Sequence, residues 1–405
     1  MNASPLRKLI TLRPSILLVS IAVIVVLIVP NVLFTLNTDY GSSFYSYWLT
    51  GRVLFAQGQN PYGDELFEQV RLRFPTDTNL SGFSLPIYAI IPVLPFTFIN
   101  NFPIALILWR LLLEAALFYA AFRLLRGFRI QNKLTPGLVC AAFLLLNYYS
   151  ISALTDGDIS ILAITFFLVG LAAMQEGEAE LSGIMFAFST IKCSLTLLPV
   201  LWVCIWALSH RGGGIIVAWT GMVLALLFLV GMLLRTDWFM LYLRSMVYYL
   251  KYMNPTNISK LIENWQPELG GRIGWAISGV FILILIIEWI INAQKDVNAL
   301  EWVLALTLTV GFLVGIPNIG KHLFILWIPA LYDIDKMQLR WGKKGLIYGI
   351  ILVVYLLVLP WIFQLFVFPD WKNPVNMFSI ISPLILVFLL FWNRWWIIDT
   401  YIEQY

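Results

Sequence analysis

The chain is poor in charge. Only 12% of its 405 residues are Asp, Glu, Lys or Arg, while 60% are hydrophobic. Soluble domains carry about 25% charged residues, so a water-soluble globule is excluded. With a mean hydropathy of +0.84, the chain reads as an integral membrane protein. Its formal net charge is only +4. That supplies no basic field, and nucleic acid is excluded as a partner. Cysteine is scarce: Cys140, Cys193 and Cys204 lie in apolar stretches without metal-ligand spacing and read as small packing residues. Histidine is scarcer still, with His210 and His322 only. There is no Gly-rich phosphate loop, no Ser/His/Asp ordering and no Cys/His metal set. No cofactor and no metal are therefore expected. No sequence repeat is evident, so an inverted-repeat transporter gains no support.

What the chain has is apolar length. A spanning helix needs about 20 apolar residues. Ten segments answer to that, near 15–36, 104–123, 135–155, 158–174, 213–234, 272–291, 299–316, 319–335, 345–366 and 377–393. The expected fold is all-α and polytopic, a single membrane domain over 1–405. Arg7, Lys8 and Arg13 precede a long apolar run without a small-x-small cleavage site, which predicts an uncleaved first span.

Basic clusters set the topology. They lie at Arg7/Lys8/Arg13, Arg123/Arg126/Arg129/Lys133 and Lys336/Arg340/Lys343/Lys344. Positive residues in short loops prefer the cytoplasm. A full crossing at 82–100 would put the second cluster outside. That segment carries three prolines, which break helices, so a dip that returns to the outer side is expected. Irregular backbone of this kind needs cover from protein or an aqueous cavity. The stretch 181–209 is read as two half-helices meeting near Lys192; one long tilted crossing is the alternative. Ten crossings then leave the long loops 37–103 and 235–271 outside.

Within 37–80, Phe44, Tyr47, Trp48 and Val53 to Phe55 form one apolar stripe. Leu66, Phe67, Val70 and Phe74 form a second. Both suit short helices lying in the headgroup plane. Asp39 then sits at the membrane surface, where a carboxylate can act as a base; ending the span is its plainer role. Asp156 and Asp158 flank an outer turn and could orient an acceptor, although Asp-Gly-Asp is also ordinary turn chemistry. Lys192, in the middle of an apolar run, is a functional candidate by default; the plainer reading pairs it with a loop acid. Arg110 and Glu114 are spaced for a structural pair. Lys321 and His322 open a late span on the same outer side. Asn257-Ile258-Ser259 is formally a glycosylation acceptor, and the Asn257 amide also suits sugar hydroxyls.

Taken in order, these residues resemble the GT-C class of membrane glycosyltransferases, and most closely family 87, the polyprenyl-phosphate-mannose-dependent transferases. The resemblance runs over about 15–335. It rests on Asp39, Tyr40, Tyr45, Tyr47, Gly58, Asn60, Pro61 and Tyr62, then Ser84-Leu85-Pro86 and Pro92, Gly157-Asp158, Lys192 with Pro199, Asn257 and Ser259, and Asn318, Lys321 and His322. Two motifs depart from the family's pattern. Gly157-Asp158 stands where Gly-Gln or Gly-Asn is usual, and Ser84-Leu85-Pro86 where Tyr-Pro-Pro is usual.

The resemblance implies inverting transfer of a hexose, mannose by expectation, from a polyprenyl-phosphate-sugar donor to a glycolipid or glycan acceptor. The site would face outward from a plasma membrane. Asp39 would be the general base. Tyr40, Tyr45, Asn60, Tyr62, Asp156, Asp158, Asn257 and His322 would contact substrate, and Lys192 and Lys321 the phosphate. A transporter or flippase of a lipid-linked sugar stays open as the rival reading, as does pentose transfer.

Overall fold

A computed structural model describes residues 31, 40–75, 82–127, 146–252, 257–316, 320–362 and 377–398. Among them every regular element is helical. Two short helices come first, α1 (Ser42–Arg52) and α2 (Asp64–Arg73). α1 buries Phe44, Tyr47 and Trp48 against the body of the protein, and α2 packs Leu66 and Val70 against Val53. Phe55, from the predicted first stripe, is instead exposed. Asp39 and, apart from Asn31, the predicted first span lie outside the described residues.

The Pro-rich stretch forms no long helix. It makes a 3-10 turn at Ile87–Ile90 and a single helical turn at Leu94–Thr97. Its backbone is covered by protein, with Ile87 to Ile90 all buried. Next come α3 (Phe102–Gly127), α4 (Tyr148–Asp156) and α5 (Ser160–Gln175). The expected span 135–155 is corrected at its end. Asn147 has extended backbone and caps α4, accepting from the amides of Tyr149 and Ser150, so the helix restarts there. α4 and α5 then bend by 113° at the Gly157 turn.

α6 (Ala179–Ser189), a 3-10 tip (Thr190–Lys192) and α7 (Cys193–Leu208) follow. By length and composition this run of 30 residues could cross a membrane once. Its geometry is that of a hairpin. Lys192 leaves helical backbone, at φ −126° and ψ 73°. Thr196 Oγ1 reaches back 2.8 Å to the Ser189 carbonyl, seven residues earlier, where a straight helix would separate them by about 10 Å.

The free ends of both arms lie at one level. At the α6 end, Gly183 packs on the start of α8 (Gly214–Leu234), where a Cβ would stand 2.5 Å from the Ile216 carbonyl. At the α7 end, Trp202 and Trp206 donate to the carbonyls of Leu300 and Lys295, at 3.1 and 2.9 Å. Gln175, just before α6, reaches Glu301 at 3.3 Å.

The remaining helices are α9 (Trp238–Tyr252), α10 (Ile258–Trp265), α11 (Gly270–Asn292), α12 (Val297–Val314), α13 (Trp327–Trp341), α14 (Lys343–Ile362) and α15 (Met377–Ile398). From Ala299 to Val314, α12 is buried at every position but Glu301, the pattern of a central helix. α8, α11 and α14 are as apolar but expose residues such as Leu229, Ile290 and Ile350, as lipid-facing helices do. Six described runs, that of the hairpin included, are long and apolar enough to span. The expected span at 319–335 is corrected too: Gly320–Leu326 is a 3-10 segment, and α13 starts after it and runs on to Trp341.

Arg110 and Glu114 are joined through Asn31. Glu114 accepts from the Asn31 amide at 2.7 Å, and Arg110 donates to the Asn31 carbonyl at 3.5 Å. The expected structural pairing is thus built around a third residue.

Candidate active site

Four segments distant in sequence meet at one end of the bundle: the first turn of α1, the α4–α5 turn, the hairpin tip, and the 3-10 segment Gly320–Leu326. The α4–α5 turn is held from α3. Trp109 Nε1 donates to the Gly157 carbonyl at 2.8 Å, and Arg110 donates to the Thr155 carbonyl. Gly157 has φ +66°, and a Cβ there would stand 2.7 Å from that of Phe44. Only glycine satisfies both the left-handed backbone and the close approach. The two flanking acids, Asp156 and Asp158, are thereby fixed in direction.

Asp156 faces the N-terminus of α1. It accepts from Ser42 Oγ at 2.8 Å, from the Ser43 amide at 3.1 Å and from Ser43 Oγ at 2.6 Å. A helix N-terminus favours negative charge, so the carboxylate is held by the α1 dipole as well as by hydroxyls. Lys321 makes an ion pair with the same carboxylate. Asp158 is 1% exposed. It accepts from the Ser160 amide at 2.9 Å, at the start of α5, and pairs with Lys321 at 3.1 Å and with Lys192 at 3.7 Å. His322 Nε2 stands 3.5 Å from Oδ2, the oxygen that Lys321 pairs with.

The two cations differ. Lys321 Nζ contacts Ser43 Oγ at 2.7 Å as well as both carboxylates, which matches the three donors of an ammonium. Burial works against its charge, but Asp156 and Asp158 outweigh that and hold its pKa well above the ordinary lysine value. Lys192 has one ion-pair partner among the described residues, Asp158, at 3.7 Å. Its ammonium therefore keeps donors for another group. His322 is neutral near pH 7: burial depresses its pKa to about 4, Lys192 and Lys321 act the same way, and Asp158 opposes them.

Of the residues singled out in the sequence, Asp156, Asp158, Lys192, Lys321 and His322 come together here. Tyr40 lies two residues before α1, half-buried. The contacts of the others lead elsewhere. Tyr45 packs edge-on against Phe74 and Phe102. Asn60 accepts from the Tyr62 amide at 3.1 Å, and Tyr62 donates to the Leu85 carbonyl at 2.8 Å. Asn257 caps α10, accepting from the Lys260 amide at 2.8 Å, and is 4% exposed. That burial corrects its reading as a glycosylation acceptor, since an acceptor asparagine must be presented at the surface. Ser42, Ser43, Trp109 and Arg110 are the partners that sequence reasoning missed or assigned otherwise. The Gly41-Ser42-Ser43 start of an amphipathic stripe was the available signal for an N-terminus that could receive an anion.

Among the described residues no group of three or more His, Cys, Asp or Glu is placed to hold a metal ion. The acids of the cluster face ammonium groups instead.

The family model for glycosyltransferase family 87 matches residues 83–316, more than half of the chain. The protein belongs to glycosyltransferase family 87. It is a multi-pass membrane glycosyltransferase, acting on a sugar donor and an acceptor. The matched region contains Asp156, Asp158 and Lys192; Ser42, Ser43, Lys321 and His322 lie beyond its ends. No curated protein and no solved structure matches the chain.

Proposed function

We propose that this glycosyltransferase takes a hexose, mannose in the first instance, from a polyprenyl-phosphate-sugar donor. It passes the sugar to a lipid-linked or glycan acceptor at the outer face of a plasma membrane, with inversion at the sugar's C1. The observation that carries this reading is Lys192. It is a cation with donors to spare, raised on a hairpin tip inside an apolar bundle, where charge is costly and is kept for function. A donor whose lipid tail stays among the helices would bring its phosphate to such a tip.

In the reaction the acceptor oxygen forms a bond to C1, and the bond from C1 to the phosphate oxygen breaks. The electron pair leaves with the phosphate, and Lys192 stabilises the charge that develops there, as a preorganised cation does. The acceptor's proton passes to a general base. Asp156 and Asp158 are engaged by hydroxyls, amides and ammonium groups, which leaves them to position Lys321 and Lys192. Asp39 is the better base. It precedes Ser42 by three residues, so chain length alone keeps the two within about 11 Å. Orientation follows from charge. Arg123, bonded to Glu176 at 2.8 Å, and Lys295 belong to the end opposite the cluster, and basic ends favour the cytoplasm.

The test is a one-compartment assay. Protein in detergent micelles is given polyprenyl-phosphate-mannose and a soluble acceptor glycoside. Glycosylated acceptor and free polyprenyl phosphate in equal amounts support the proposal. A flippase has nothing to do in a micelle, so donor recovered intact, with vesicle translocation of the same lipid, would transfer the assignment to transport.

A further inference from the structure

The two irregular segments of the fold meet at one hydroxyl. Tyr88 sits in the 3-10 turn of the Pro-rich stretch, 7% exposed, with its ring edge-on to Trp238 at 6.0 Å. Its hydroxyl lies 3.1 Å from Thr190 Oγ1 and 3.5 Å from the Thr190 carbonyl. Thr190 opens the tip that ends in Lys192. The Thr190 hydroxyl already donates to the Ala187 carbonyl at 2.7 Å, so its proton is committed and Tyr88 is the donor of the pair. Cys193 Sγ reaches the same Thr190 carbonyl at 3.0 Å from beyond Lys192.

A helix break leaves backbone carbonyls without their usual partners. At this tip, side chains supply them: Tyr88 and Cys193 at Thr190, and Thr196 at Ser189 and Lys192. Cys193 and Thr196 belong to the hairpin itself. Tyr88 does not, and it ties the tip to a different part of the chain.

We propose that Tyr88 is a positioning residue, holding the hairpin tip so that Lys192 meets the donor phosphate. This rests on the role given to Lys192 above. Small displacements of a group acting on developing charge have large effects on rate. The Tyr88 hydroxyl sets the displacement without touching substrate.

The variant is Tyr88→Phe, which keeps the ring against Trp238 and removes only the hydroxyl. Donor kcat/KM should fall about five- to tenfold, the scale of one net hydrogen bond, with little change in the thermal unfolding midpoint. Backbone amides of 190–193 should exchange faster with deuterium. In a Lys192→Ala background, Tyr88→Phe should have no further effect on kcat/KM. Equal losses in both backgrounds would show a general structural role and overturn the proposal, as would unchanged tip exchange. A donor KM and kcat unaffected by Lys192→Ala itself would overturn the phosphate assignment instead; exchange at the tip would then still decide whether Tyr88 holds it.

Discussion

Lys192 Nζ stands 3.7 Å from Asp158 Oδ1, joining the tip of a hairpin to the bend between α4 and α5. Neither residue is near the other in sequence, and neither segment is a straight span. The candidate active site is built where helices break.

Lys192 should matter more for turnover than for folding. Lys192→Met leaves Asp158 paired with Lys321 and with the Ser160 amide, so the fold retains its partners. If the ammonium stabilises the leaving phosphate, kcat/KM should drop about 100-fold or more. Lys192→Arg should recover part of that. Initial-rate kinetics in detergent, with unfolding curves as control, make the comparison.

Lys321 is the reverse case, a cation at full occupancy. Lys321→Met leaves the buried Asp158 and the partly buried Asp156 without their shared partner and should destabilise by about 3 kcal/mol. Asp156→Asn should cost less, about 2 kcal/mol, because Lys321 keeps Asp158. Adding Asp156→Asn to Lys321→Met should restore part of the lost stability, since the two share one network. Chemical or thermal denaturation of the three variants reads the coupling directly.

Gly157→Ala should be severe for its size. The residue would take a left-handed backbone at about 1–2 kcal/mol and force Phe44 to move. The displaced turn carries both acids, so activity should fall further than stability. A variant with wild-type transfer rate would show that the turn's position is not needed.

His322 gives a pH signature. Its pKa is near 4 in the folded chain and about 6.5 when unfolded. The unfolded state therefore takes up the proton first as pH falls. Stability due to neutral His322 is complete above about pH 6.5 and is lost as pH drops toward 4, by up to about 3 kcal/mol. His322→Gln should flatten the unfolding midpoint over that range. Between pH 7 and 8 the histidine should add no limb to the rate profile.

The sequence was informative wherever charge stood in apolar surroundings. Lys192, Asp156, Asp158, Lys321 and His322 were legible because each is expensive in a membrane, and their shared side followed from the basic clusters. The hairpin was legible from its length and the basic loop after it. Periodicity could not show where helices restart. Asn147 as a cap and the 3-10 start at Gly320 depend on backbone geometry inside runs that read as continuously apolar. Asn257 and Tyr62 were singled out as ligand groups, and in the fold one caps α10 and the other donates to the Leu85 carbonyl, roles that look the same in sequence. Ser42 and Ser43 went unnoticed for the opposite reason: small hydroxyls gain meaning only from the carboxylate that folding brings to them.

Asp39 is proposed to act as base in transfer from a polyprenyl-phosphate-sugar. The most direct test is label incorporation from radiolabelled polyprenyl-phosphate-mannose into acceptor, comparing wild type with Asp39→Asn at matched amounts of folded protein. Incorporation by wild type and a loss of at least about 100-fold in the variant are expected. Full activity in Asp39→Asn would contradict the base assignment, and no incorporation by wild type from mannose, glucose or arabinose donors would contradict the proposed reaction.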